Sequence, residues 1–202
     1  MPHGTARRAE VPGTRVDGLS ALSVRLFPAL LVLAACSPQM MMTPDGGGTC
    51  GTAMTPPNLL SDGTFESSQG SWFTWGSGTL AVSAARAHGG SQSLAFTNRT
   101  GNGPIARSLM GLVQPGKSYQ VSMWTSIGGA ASASVNMTSA LGCDGSDSYA
   151  WLVNPTTVAD GAWVKLTGTL NVPNCNVTNA LVYLEGPGAG VDMYVDDAVV
   201  TQ

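Results

Sequence analysis

The sequence predicts an all-β fold, an antiparallel β-sandwich of the jelly-roll type, and three observations carry that prediction. Charged residues are only 10% of the chain while glycine is abundant at 26 residues, a mixture that suits short strands and tight turns rather than helical bundles. Apolar and polar residues alternate with period two in several stretches, as in Tyr119-Val121-Met123 against Gln120-Ser122-Trp124 and Val164-Leu166 against Lys165-Thr167. Turn signals interrupt these runs at Ile127-Gly128-Gly129, Asp160-Gly161 and Gly186-Pro187-Gly188, a spacing expected of stacked antiparallel strands.

The chain divides into three parts. Residues 1–35 read as an export signal: Arg25 precedes the apolar run LFPALLVLAAC, which is too short for the roughly 20 residues a bilayer span needs. The ending Leu33-Ala34-Ala35-Cys36 is similar to a bacterial lipobox, in which Cys36 becomes the lipidated first residue of the mature protein. Ser37 rather than Asp follows that cysteine, and among Gram-negative lipoproteins this implies sorting to the outer membrane or cell surface. Residues 36–57 then form a tether, SPQMMMTPDGGGTCGTAMTPP after the cysteine, with no period and much Gly, Pro and Thr. The domain occupies 58–202. From Ser37 onward five Lys and Arg stand against ten Asp and Glu, so a basic surface for nucleic acid is not expected.

Removing Cys36 leaves Cys50, Cys143 and Cys175, an odd number for an exported chain. Strands over 131–140, 148–154 and 162–170 arranged as a meander bring the loops holding Cys143 and Cys175 to one end of a sheet. A Cys143–Cys175 disulfide is therefore expected, with Cys50 either free in the tether or closing onto the domain. Asn98, Asn136 and Asn176 begin Asn-x-Ser/Thr triplets, which are glycosylation acceptors only in a suitable host.

In ALVYLEG, Val182 and Leu184 share one face and Tyr183 and Glu185 the other. With the aliphatic pair in the core, an aromatic ring and a carboxylate project outward together: a surface to stack on and an acceptor beside it. Tyr149 and Trp151 form another i, i+2 pair on SYAWLVN.

The ordered set Phe65-Glu66, Pro115-Gly116-Lys117-Ser118-Tyr119, Glu185-Gly186-Pro187 and Tyr194-Val195-Asp196-Asp197 resembles the carbohydrate-binding modules attached to bacterial xylanases and cellulases. The likeness is to family 22, within the group of families 4 and 9, and extends over nearly all of 58–201. It implies a jelly roll with a concave glycan-binding sheet and a structural calcium ion. Tyr183 and Glu185 match the Tyr and Glu of the Y-x-E-G-P strand that contact sugar in xylan binders, and Tyr149 and Trp151 fall where the family carries a further aromatic.

There are two departures. The family's binding loop commonly reads R-T-x-x-W-x-G-P, whereas Arg99-Thr100-Gly101-Asn102-Gly103-Pro104 keeps the Arg, lacks the Trp and is shorter. Trp75 stands where xylan binders often carry Arg, and serves either as a replacement stacking platform or as a rim residue. Trp72, Trp124 and Trp163 match structural positions. For the calcium, which takes six to eight oxygen ligands, the resemblance offers Glu66 on the first strand and Asp196 or Asp197 on the last.

Catalysis is not expected. A glycosidase needs two carboxylates flanking one cleft, roughly 5–9.5 Å apart, and the proposed face offers only Glu185. His3 and His88 are too few and too far apart for a zinc site or a catalytic triad. The expected function is non-catalytic binding of a β-linked plant-type or cell-surface polysaccharide, by a protein held to the membrane through its lipid. The alternative is an adhesin-like, protein-binding sandwich that has lost the sugar.

Overall fold

The computed structural model describes residues 55–202; the signal segment, Cys36, the methionine run and Cys50 lie outside the described residues. Ten strands form two five-stranded sheets: β1 (Trp72–Phe73), β2 (Thr79–Ser83), β3 (Ser93–Thr97), β4 (Ile105–Ser108), β5 (Ser118–Gly128), β6 (Ser132–Cys143), β7 (Ser146–Ala159), β8 (Val164–Asn171), β9 (Val177–Glu185) and β10 (Asp192–Thr201). The first sheet has the order β1-β4-β9-β6-β7 and the second β2-β3-β10-β5-β8. Neighbouring strands pair antiparallel throughout.

The core lies where the alternation placed it. On β5, Tyr119, Val121 and Met123 are buried, and on β9 so are Ala180, Val182 and Leu184. Full burial of Val121, Met123, Val182 and Leu184 contributes about 1.5–3 kcal/mol each. One strand changes phase. Met193 and Val195 point inward on the first half of β10, and Ala198 and Val200 on the second. A bulge between Asp196 and Val199 makes the switch, with Asp197 at φ 45°. Inserting one residue turns the following side chains to the other face.

The meander expectation is corrected. β6 and β7 form a hairpin, but β8 crosses to the second sheet beside β5. Cys143 and Cys175 are nevertheless bonded, with Cα atoms 5.7 Å apart, because β9 returns to pair with β6 and sets Val177 opposite Cys143. Glu66 also differs from expectation: it lies in the segment before β1, not on a strand. That segment is tied to the end of β10, where the Leu59 amide donates to the Val200 carbonyl at 2.8 Å and the Ala198 amide to Gly63 at 2.9 Å.

Candidate glycan-binding cleft

The outward face of the first sheet is organised in rows. Phe73 pairs with Ala106, Ala106 with Tyr183, Tyr183 with Thr138, and Thr138 with Trp151, so one row crosses all five strands. At a strand spacing of about 4.8 Å the row is about 19 Å long. The flanking rows carry Asn136 opposite Glu185 on one side and Ala140 opposite both Leu181 and Tyr149 on the other. Ala106, Thr138 and Ala140 are short side chains, so the floor stays low while Trp75, Tyr149 and Trp151 stand up from it, more than half exposed. The result is a cleft of about 260 Å³ lined by Thr138, Tyr149, Ala150, Trp151, Tyr183 and Glu185.

Glu185 is held by two donors. Asn136 Nδ2 donates to its Oε1 at 3.0 Å and Thr138 Oγ1 donates to the same oxygen at 2.7 Å. Asn136 Nδ2 also reaches Thr138 Oγ1 at 3.0 Å, closing a small network. The carboxylate is thereby oriented, with Oε2 left to accept from a ligand hydroxyl.

Tyr183 is on the expected face but is only 7% exposed. Trp75 meets it edge to face, with ring centroids 5.4 Å apart and planes at 72°. Phe73 extends the aromatic series, 5.9 Å from Trp75. Burial, then the neighbouring Glu185 and Tyr149, push the Tyr183 phenol above its ordinary value. Trp75 owes its place to a close backbone approach: a Cβ on Gly76 would sit 2.3 Å from the Gly103 Cα, and one on Gly103 would sit 2.2 Å from the Gly76 Cα. Side chains at both positions would force the two loops apart.

Arg99 requires correction. It is buried rather than open to the cleft, and its guanidinium donates to the carbonyls of Val191 and Gly103, each at 2.8 Å. It also lies over the Phe96 ring, 5.1 Å from the centroid. Burial lowers its basicity, with Asp192 opposing that shift. The short loop is clamped from inside by the residue expected to touch sugar.

Three further carboxylates, those of Glu66, Asp196 and Asp197, gather around the 88–92 turn. Asp196 is fully buried; its Oδ2 accepts from the amides of His88 and Gly89 at 2.8 and 3.1 Å, and its Oδ1 from the Asp197 amide at 2.8 Å. Burial raises its carboxyl against the pull of those amides. Asp196 thus clasps the turn through its two oxygens. Glu66 accepts from the Ser91 and Gln92 amides and from Ser91 Oγ, which hold its carboxyl below the usual range. Asp197 Oδ2 lies 2.7 Å from His88 Nδ1. His88 in turn stacks on Trp124 at 3.8 Å and meets Trp163 edge-on at 5.8 Å, while Trp72 is buried against Phe65.

Glu66, Asp196 and Asp197 do not converge as a trio within 4.8 Å among the described residues. Glu66 and Asp197 both lie against this turn. Both carboxylates press against consecutive glycines, 2.3 Å from where a Cβ of Gly90 would be and 2.6 Å from where one of Gly89 would be. These are hard oxygen donors, the chemistry calcium prefers.

With this geometry in view, the model of the carbohydrate binding domain family, which groups families 4 and 9, matches residues 57–191. The chain belongs to the carbohydrate-binding domain family. Among solved structures, this carbohydrate-binding domain is similar to the CBM22-1 xylan-binding domain of Paenibacillus barcinonensis Xyn10C, at 27% identity and TM-score 0.67 over 74% of this chain and 96% of that one. It is also similar to the C-terminal family 22 carbohydrate-binding module of Clostridium thermocellum Xyn10B, at 29% identity and TM-score 0.58 over 69% and 90%. Among curated proteins it is 29% identical to endo-1,4-beta-xylanase A of Thermotoga maritima and 31% identical to exoglucanase XynX of Acetivibrio thermocellus. Each match covers 71% of this chain but only 14% of the enzyme.

Within the carbohydrate-binding domain, the structure brings together Tyr149, Trp151, Tyr183, Glu185 and Trp75 on one sheet face, and leaves Arg99 out. Sequence reading missed Phe73, Asn136 and Thr138. Asn136 and Thr138 were visible only as a glycosylation triplet; their role depends on β6 pairing with β9, a register that nothing local in the sequence specifies.

Proposed function

We propose that this domain binds a xylan-type, β-linked polysaccharide in the cleft of the first sheet without chemically altering it. The observation that carries the reading is the single row from Phe73 to Trp151, with an oriented carboxylate one row away. Trp75, Tyr149 and Trp151 offer ring faces to the axial C–H surface of a sugar; such contacts contribute about 0.5–1.5 kcal/mol each beyond burial. Glu185 accepts sugar hydroxyls in charge-assisted bonds of about 1.5–3 kcal/mol. Tyr183 acts as the wall on which Trp75 leans. The xylan-binding domains among its relatives support the choice of ligand. Among the described residues Glu185 is the only carboxylate lining the cleft, and a glycosidase needs two.

A calcium ion held by Glu66 and Asp197 would tie the entering segment to the last strand. A lipid on Cys36 would hold the domain at the cell envelope, presenting the cleft to polysaccharide outside the cell; the lipobox pattern LAAC supports this. Affinity electrophoresis on gels containing xylan, mixed-linkage β-glucan or hydroxyethyl cellulose tests the central reading. Retardation on xylan, abolished by combining Trp75→Ala with Trp151→Ala, is expected. Equal mobility on every gel would overturn it.

A further inference from the structure

The charge around the cleft is one-sided. Glu185 lies in it, and Asp147 stands on the same outward face, two residues before Tyr149 on β7. Asp147 Oδ1 would be 2.8 Å from a Cβ on Gly142, which places it over β6 and about 7 Å along the strand from Tyr149. Among the described residues no basic side chain answers these two. Of the five basic residues among the described residues, Arg86 pairs with Asp160 at 2.9 Å and Arg107 with Asp62 at 3.4 Å. Arg99 is buried on backbone carbonyls. Lys117 lies in the turn before β5 and Lys165 on β8 of the second sheet.

The donors around Glu185 do not cancel its charge. Asn136 and Thr138 are neutral, and both point hydrogens at Oε1, an arrangement that suits the ionised, acceptor-only carboxylate. A hydroxyl-bearing chain can donate to this group. A chain carrying its own carboxylates meets a fixed negative charge with no cation to pair with.

We propose that the cleft discriminates by charge, accepting uncharged β-linked glycans and rejecting chains substituted with uronate or other anionic groups. This rests on the glycan-binding reading above and names the class of substrate. The repulsion acts through solvent at the edge of an open cleft, so it is salt-dependent and spans little more than a Debye length.

The test uses one polymer in two states: glucuronoxylan, and the same glucuronoxylan after its uronic carboxyls are reduced to alcohols. At low ionic strength the domain should bind the reduced polymer more tightly, by on the order of tenfold. That difference should shrink towards parity at about 1 M salt, where the screening length falls to about 3 Å. Asp147→Asn, which removes a charge without touching the cleft lining, should improve binding to native glucuronoxylan and leave the reduced polymer unaffected. Equal binding to the two polymers at low salt, or a difference that salt does not change, would overturn charge discrimination while leaving glycan binding intact. Binding to neither polymer would instead overturn the glycan reading and this inference with it.

Discussion

Trp75 stands edge-on to Tyr183, their ring centroids 5.4 Å apart, and Tyr183, expected to project outward as an open ring, is the covered member of the pair. Tyr183 retains 7% of its surface and Trp75 57%. Tyr183 supports Trp75 edge-on, and Trp75 presents the open ring. The glycine pair Gly76 and Gly103 permits this by letting the two loops touch at their backbones.

Trp75→Ala should therefore weaken xylan binding by about 1–2 kcal/mol, roughly five- to thirtyfold. Tyr183→Phe, which keeps the supporting ring, should cost less. Isothermal titration with a xylo-oligosaccharide measures both. A larger loss in Tyr183→Phe than in Trp75→Ala would reverse the assigned roles.

Thr138→Val removes one of the two hydrogens that orient Glu185 and keeps the side-chain shape. Affinity should fall several-fold, less than in Glu185→Ala, where about 1.5–3 kcal/mol is lost with the acceptor itself. Thermal stability of the valine variant should change little. If Thr138→Val binds as well as the parent, the hydroxyl does not position the carboxylate.

The raised Tyr183 phenol has a pH signature. A group whose folded pKa exceeds its unfolded value adds stability that is fully present below the unfolded value, here 10.0, and is lost as pH rises through the folded one. Absorbance titration of the phenolates should include a step above the ordinary phenol value that belongs to Tyr183, and Tyr183→Phe should remove that step. An unchanged titration curve in the variant would contradict the buried, carboxylate-flanked placement.

The disulfide and the calcium ion make separate stability predictions. Replacing Cys143 and Cys175 by Ser opens a loop with a sequence separation of 32, which should cost about 2–4 kcal/mol and lower the melting temperature by on the order of 10 °C. Adding calcium to EDTA-treated domain should raise the melting temperature, and Glu66→Gln should abolish that rise. A melting temperature indifferent to calcium would exclude the Glu66–Asp197 site. Asp196→Asn should destabilise the fold with or without the ion, because an amide offers one oxygen where three backbone N–H groups need acceptors.

What was legible in the sequence follows from the period of two. Val182 and Leu184 announced the core face of β9, and this alone sent Tyr183 and Glu185 outward. Register was not legible. The pairing that puts Asn136 and Thr138 beside Glu185, and Phe73 in line with Trp151, joins strands far apart in the chain. The Cys143–Cys175 proximity was reached through a meander that the crossover of β8 replaces; the pairing of β9 with β6 brings the same two cysteines together. Arg99 misled for a related reason. A loop that keeps the residue types Arg-Thr and Gly-Pro but shortens between them can fold its arginine inward, where the Val191 and Gly103 carbonyls accept it.

The five tryptophans provide the most direct measurement. Trp75 and Trp151 stand at the cleft, Trp72 is in the core, and Trp124 and Trp163 flank His88 on the other side of the molecule. In a ¹H–¹⁵N spectrum recorded during titration with a xylo-oligosaccharide, the indole signals of Trp75 and Trp151 should shift in a saturable manner while the other three hold their positions. Shifts confined to Trp124 and Trp163, or no shift in any indole at saturating ligand, would contradict a glycan site on the first sheet.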